Sequence, residues 1–322
     1  MQNGEKQADS NRPENQGSAL QNGILYLVGT PIGNLQDISE RVVNTLAEAD
    51  WIAAEDTRRT LQLLNHLGLK KHLISCHQHN QKQRIPLILE KLKQGGKVAL
   101  VTDAGMPGIS DPGTKLVAAC VDAGIDVTAI PGPSAFLVAL AASGLDTDRF
   151  VFEGFIPSSG KLRKQRIQEL SSERRTVVLY EAPHRVIKTL KDLEAEGLSE
   201  RRLTLARELT KKYESFWRTT VGEAVRQADQ MVLRGEFVLV LEGLDSYSKR
   251  CADGNRLKQE KEVSDWSEED AILQIQSLLE QGFSIKDAVL RLAGNDRLSR
   301  NEWYRLALRV DERRKMDDST ET

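Results

Sequence analysis

The sequence predicts an α/β protein: two α/β domains with a ligand cleft between them, followed by a small helical module. Three observations carry that prediction. Short β-branched apolar runs alternate with segments of helical period from Ile24 to about Gly243. Two late runs, Leu203–Arg207 and Glu214–Thr220, stand too close in the chain for a crossover helix, so the second domain must contain antiparallel pairing. Beyond Gly243 the alternation stops, and a polar stretch leads into three short segments with helix-start signals.

In order, the first strand is Ile24–Val28, followed by an amphipathic helix over Ile38–Ala49 and a strand at Trp51–Ala54. Further strands are expected at His72–Cys76, Lys97–Thr102, Asp126–Ile130, Phe150–Glu153, Thr176–Tyr180 and Phe237–Leu241. Helical period recurs over Thr57–Leu67, Arg84–Gln94, Gly113–Ala123, Ser134–Ser143, Leu162–Leu170, His184–Leu193 and Gly222–Met231. The break at Gly144–Arg149 separates a domain of residues 23–145 from one of residues 146–244. Residues 245–264 are polar and charged and read as a linker to a helix-turn-helix-like module at 265–312. There Ser267 with Asp270 caps Ala271–Glu280, Gly282 closes that helix, Ser284 caps the next, and Ser299 with Glu302 caps Trp303–Val310. Residues 1–22, with almost no large apolar side chains, read as a disordered arm, and residues 313–322 as a polar tail.

With 322 residues, 39% of them hydrophobic, the chain can bury two cores. No stretch approaches the roughly 18 apolar residues of a membrane span, and no basic start leads into an apolar run, so a soluble, cytoplasmic protein is expected. Cys76, Cys120 and Cys251 are too scattered for a disulfide framework or a metal pair, which fits a reducing compartment. A net charge of -2 offers nucleic acid no global attraction, so any RNA contact must come from local patches. Two basic runs qualify. One holds Lys161, Arg163, Lys164, Arg166, Arg174 and Arg175; the other holds Arg201, Arg202, Arg207, Lys211, Lys212 and Arg218. Both also read as solvated faces of a helix and a hairpin.

Ligands of α/β sheets collect at the carboxyl ends of strands. Three loops there are rich in Gly and Pro. Gly29-Thr30-Pro31-Ile32-Gly33-Asn34 is either a nucleotide loop or a tight strand-to-helix turn. Asp103-Ala104-Gly105-Met106-Pro107-Gly108-Ile109-Ser110-Asp111-Pro112-Gly113 fixes an irregular backbone that can approach a ligand closely. Asp103 is placed to accept from a ligand hydroxyl or amino group, whereas Asp111 reads as a cap of the following helix. Pro131-Gly132-Pro133-Ser134-Ala135 ends at a helix start whose free N–H groups suit a carboxylate. Together the loops describe one cleft for a small polar ligand. His77 and His79 lack the further ligands a metal shell needs, so no metal site is expected.

The blocks LYLVGTPIGNLQDIS, AAEDTRRT, HQHN, ALVTDAGMPGISDPG, PGPSA, YEAPHR and RELTKKYE, in that order over about residues 24–243, resemble the tetrapyrrole-methylase superfamily. Thr30-Pro31 and Asp103-Ala104-Gly105 resemble its ribosomal RNA-methylating branch rather than the porphyrin enzymes. One position departs from the pattern: Gln78 stands where the family carries Glu between the histidines. The resemblance implies two α/β domains, S-adenosyl-L-methionine in the cleft between them, and homodimers. It implies 2′-O-methylation of the ribose of a cytidine in the decoding region of 16S, small-subunit, ribosomal RNA, with the RNA or the assembled subunit as partner. It places the cofactor against Gly29, Thr30, Pro31, Ile32, Asp103, Ala104, Gly105, Met106, Ser134, Ala135 and Tyr180.

Methyl transfer to a ribose hydroxyl needs an in-line arrangement and benefits from a general base. Glu208 and His184 are the expected bases, out of a group that includes Tyr180, Glu181, Arg185 and Glu214. Lys161, Arg163, Lys164, Arg166, Arg207, Lys211 and Lys212 are the expected RNA contacts. Two rivals share these features: a tetrapyrrole C-methyltransferase, and a non-catalytic RNA-binding accessory protein. Basic runs and a helical tail favour an RNA substrate over a porphyrinoid one.

Overall fold

A computed structural model describes residues 23–253, 267–293 and 298–320. The chain forms two compact units, one ending at Ser246 and one running from Tyr247.

The first unit opens with a five-stranded parallel sheet of β1 (Ile24–Val28), β2 (Trp51–Ala54), β3 (His72–Ser75), β4 (Lys97–Val101) and β5 (Asp126–Ile130), in the order β3-β2-β4-β1-β5. Its helices are α1 (Glu40–Glu48), α2 (Thr57–His66), α3 (Gln81–Lys93), α4 (Thr114–Asp122) and α5 (Ala135–Ala142). Successive strand residues face opposite ways. Leu25, Ala53, Val98 and Leu100 therefore join Ile88, Leu92 and Leu116 in one apolar layer. Val28, Ile52, Ala54, Ala99 and Val101 join Val42, Leu46 and Leu64 in the other. From β1 the chain moves outward to β2, and from β4 it moves the opposite way to β5. The loops after the neighbours β1 and β4 thus leave in opposite directions and open a crevice at the carboxyl edge.

The second sheet has the order β6-β7-β10-β8-β9, from β6 (Phe150–Phe155), β7 (Thr176–Glu181), β8 (Arg202–Arg207), β9 (Ser215–Thr220) and β10 (Phe237–Leu241). β6 and β7 are parallel and the other pairs antiparallel, as the short β8–β9 connection requires. A bulge at Glu153 shifts the β6 register between Phe152 and Gly154. One face packs Val177, Leu179, Leu205 and Leu239 against α6 (Gly160–Ser172), α7 (Val186–Ala195) and α8 (Val221–Arg226). The other face, through Val178, Ala206, Val238 and Val240, packs on Ala139 and Leu140 of α5 and on Ile32. A helix that follows the first sheet in sequence thus forms a core with the second, and Thr204 Oγ1 donates to Ser143 O at 2.9 Å just beyond it.

Three expectations are corrected. Residues 245–253, expected as linker, lie in a helix, α9 (residues 244–253). Leu244, Tyr247 and Cys251 are half-buried there at helical spacing, a pattern that the surrounding charge masks. The helix expected to end at Val310 continues as α12 (Arg300–Thr320), because Glu312 to Met316 contains strong helix formers and no breaker. The helix expected over Gly222–Met231 stops at Arg226, with a 3-10 turn at Ala228–Gln230. Residues 1–22 and 254–264, with Trp266, lie outside the described residues. No helix among the described residues is long and apolar enough to cross a membrane.

In the second unit α10 (Glu268–Glu280) starts in a capping box of Ser267 and Asp270, and Ser284 caps α11 (Ile285–Leu292). Fully buried Trp303 packs with Ala271, Ile275, Leu279 and Val289. Removing a buried indole costs about 3–5 kcal/mol, a large share of what so small a core supplies. Trp303→Ala is expected to abolish hydrogen-exchange protection in α10–α12 while protection of β1 and β4 persists.

Candidate active site

The loops after β1, β4 and β5 converge. Thr30 and Gly105 form an antiparallel bridge, Thr30 N–H donating to Gly105 O at 2.9 Å and Gly105 N–H to Thr30 O at 3.0 Å. Thr30 Oγ1 also donates to Thr102 O at 3.1 Å. A Cβ at Gly29 would stand 2.7 Å from Gly132 Cα and 2.6 Å from Met106 Sδ, so no larger residue fits while the loops keep this spacing. Gly105 has a φ of +83°, a conformation that side chains disfavour. A Cβ at Gly33 would collide with Lys211 Cγ, so the first loop lies close against the β8–β9 turn.

A cavity of about 340 Å³ opens between these loops and the second sheet. Ile32, Ala104, Gly105, Met106, Ser134, Ala135 and Tyr180, all candidates from the sequence, line it. The second sheet adds Phe155, Glu181, Ala182 and residues 235–238. Ser134 is the N-cap of α5 and its side chain makes no capping bond, so it takes up none of the helix-start N–H groups. The other four candidates stand elsewhere. Thr30, Pro31 and Asp103 line a second hollow of about 240 Å³ with Arg59, Thr60 and His66. Gly29 lines neither hollow and packs against Gly132. Asp103 Oδ1 accepts from the Asp56 N–H at 3.2 Å, and Oδ2 pairs with Arg59 at 3.4 Å, so its carboxylate ties the β2–α2 turn to β4.

Neither expected base points to the cavity. Glu208 sits in a left-handed turn at φ +53°, accepts from Lys211 Nζ at 2.9 Å and from the Glu236 N–H at 3.0 Å, and braces the backbone before β10. Burial opposes its ionisation, yet these bonds outweigh it and hold the carboxyl below the ordinary range. His184 is exposed on a 3-10 turn outside the cavity wall. Arg163 is also corrected: at 4% exposure it donates to Asp192, Thr189 and Pro157 and joins α6 to α7, leaving no face for RNA. Lys211 is spent on Glu208 and Glu236, and half-buried Arg207 reaches Ser215 and two backbone carbonyls at 3.4 Å. Lys161, Lys164 and Lys212 are exposed. Arg166 is exposed too, and pairs with Glu153 and Glu169.

Two cavity groups named from the sequence stand in surroundings it did not show. Glu181, whose side chain is 1% exposed, accepts from Thr189 Oγ1 at 2.6 Å and pairs with Arg185 at 3.1 Å. Only the four-residue spacing of Glu181 and Arg185 hinted at that pair. Asp111 is not a cap: α4 starts from Gly113 with no side-chain capping bond. It lines the cavity instead. Burial first, then the charges of Glu55 and Asp103, push its carboxyl up to about 7. Burial, reinforced by Asp111 and Glu236, pushes the Tyr180 phenol up to about 12, and burial followed by Asp103 raises Glu55.

Residues 24–225 match the family described as Tetrapyrrole (Corrin/Porphyrin) Methylases. A Synechocystis protein named "Ribosomal RNA small subunit methyltransferase I" is 46% identical over 289 residues, 90% of this chain and 99% of its own length. A Bacillus subtilis protein of the same name is 40% identical over 282 residues, 88% of this chain and 93% of its own. One from Thermotoga maritima is 48% identical over 221 residues, 69% of this chain and 99% of its own. Among solved structures, the methyltransferase CobJ matches with a TM-score of 0.53 at 21% identity, over 69% of this chain and 95% of its own. The Thermus thermophilus uroporphyrin-III C-methyltransferase complexed with S-adenosylhomocysteine matches at 0.51 and 19%, over 68% of this chain and 97% of its own. Both show the same fold.

Asp111 makes stability depend on pH. Unfolded, it ionises near the ordinary aspartate value of about 3.9; folded, it keeps its proton to about 7. Between those values the folded state holds the extra proton, so this group's contribution to stability falls as pH rises from about 4 to about 7, then levels off. Asp111→Asn lacks that titration. Its melting temperature relative to wild type is expected to climb through that window and to stay constant above it; a pH-independent difference would contradict the assignment.

Proposed function

The chain belongs to the tetrapyrrole methylase family, and on that basis we propose that it transfers a methyl group from S-adenosyl-L-methionine to the ribose 2′-hydroxyl of a cytidine in the decoding region of 16S, small-subunit, ribosomal RNA. The observation that carries the reading is identity of 46% with a protein named for small-subunit ribosomal RNA methylation, over 99% of that protein's length. The cavity supports the cofactor. Its volume of about 340 Å³ suits a small ligand. Its apolar walls, Ile32, Met106, Phe155 and Val238, suit a flat ring, and Gly105 lines it without a side chain.

When bound, the cofactor supplies a methyl carbon made electrophilic by a positively charged sulfur. The chain's own work is placement. Loops locked through Thr30–Gly105 and Gly29–Gly132 present a preformed wall, so little ordering cost falls on binding. The start of α5 suits a carboxylate. Tyr180, which keeps its proton far above neutral pH, is a donor at the second-sheet wall. Such a site lowers the barrier mainly by alignment and by excluding water.

RNA contact narrows to Lys161, Lys164, Arg166 and Lys212, the expected cations that remain exposed. The working form is a cytoplasmic homodimer. The helical module acts as an RNA tether rather than as catalytic machinery. The Thermotoga relative supports that division, since its 221 matched residues, nearly its whole length, are too few to cover both units in full.

The deciding experiment incubates the purified chain with methyl-labelled cofactor and small subunits from a strain lacking the modification, then maps the label by mass spectrometry. One 2′-O-methylcytidine is expected; label on a base or transfer to a tetrapyrrole overturns the reading. Reversing Lys161, Lys164 and Arg166 is expected to flatten the salt dependence of RNA binding by roughly one unit of slope for each phosphate no longer neutralised. A chain ending at Asp253 is expected to bind cofactor normally and to methylate subunits more slowly.

A further inference from the structure

We propose that Asp111 is the counter-charge for a cationic ligand in the cavity and gives up its proton when that ligand binds. The inference rests on the cofactor reading above and adds to it a charged group and a proton.

Asp111 is half-buried in the cavity wall, and no hydrogen bond or ion pair from any described residue reaches its carboxylate. The backbone turns it there. Ser110 is held at φ +61°, its hydroxyl 3.0 Å from where a Cβ on Gly154 in the β6 bulge would lie. Left-handed backbone at a serine is uncommon, and it persists only where its surroundings enforce it.

Charges around Asp111 sharpen the case. From the ends of β2 and β4 it faces Glu55 and Asp103, and across the cavity stand Tyr180 and Glu236. The neighbouring cations are engaged elsewhere: Arg59 with Asp103, Arg185 with Glu181, and Lys211 with Glu208 and Glu236. His77 faces Glu55. A half-buried carboxylate among like charges is stable only when protonated or when a cation comes close. Burial and the neighbouring carboxylates accordingly push it up to about 7 in the protein alone.

Both probes carry an α-ammonium and an α-carboxylate, but only S-adenosylmethionine adds a sulfonium charge, and that charge is the cation assigned to Asp111; the demethylated thioether lacks it. The ionised site therefore favours the methyl donor over the product of its use.

Isothermal titration calorimetry of the full chain, with S-adenosylmethionine and S-adenosylhomocysteine as probes, tests this in buffers of different ionisation enthalpy. Near pH 6 the wild type is expected to release close to one proton per sulfonium bound, falling toward none by pH 8.5, and to release fewer with the thioether. Asp111→Asn is expected to abolish the release and, at pH 8, to weaken the sulfonium about tenfold while changing the thioether less than twofold. Proton release that survives in Asp111→Asn, or equal weakening of both probes, overturns the proposal and leaves the cofactor reading standing. Failure of the wild type to bind either probe at any pH overturns both.

Discussion

The site depends on how closely three turns can approach one another. Gly29 and Gly132 meet backbone to backbone, and Thr30 and Gly105 exchange two hydrogen bonds across the same junction. The strand order of the first sheet makes this meeting possible, because β1 lies between β4 and β5 and the loops after all three start side by side at one edge. Side chains would have held the loops apart. Their absence lets backbone polar groups satisfy one another in a place that would otherwise need water or a ligand.

A second consequence is that the cleft has two walls of different character. The loop wall mixes small residues such as Ala104, Gly105 and Ser134 with apolar Ile32 and Met106 and the carboxyl of Asp111, and the opposite wall is the pleated face of β7 and β10. The walls are held at their spacing by α5, whose Ala139 and Leu140 are buried against Val178, Val238 and Val240. Small residues on that helix allow it to lie close to the sheet. Geometry in the cavity thus rests on ordinary apolar packing between the halves of one unit.

Much of this was legible in the residues. Strand and helix positions follow from periodicity, and the antiparallel second sheet follows from the short gap between Arg207 and Ser215. Six of the seven cofactor candidates in the cavity follow β1, β4 and β5, whose loops share an edge, and Tyr180 joins them from β7. Partnership was not legible. Glu208, Arg163 and Lys211 carry chemistry-bearing groups, yet each is consumed by neighbours distant in sequence, such as Glu236 for Glu208 and Asp192 for Arg163. Asp111 went the other way, read as a cap because it precedes a helix, although Gly113 starts α4. Composition and spacing report which groups exist, and only the fold reports which are already satisfied.

The strand order also bears on how the protein is made. β1 is the first strand of the described chain, yet Ile24 pairs with Lys97 and Asp126 and has no earlier partner. Its apolar residues must wait through synthesis of three helices and two strands before either neighbour exists. Non-local parallel pairing of this kind slows folding and prolongs exposure of unpaired strand edges. The same topology that opens a crevice for a ligand makes that crevice among the last features of its domain to form during synthesis, after β4 and β5 have both emerged.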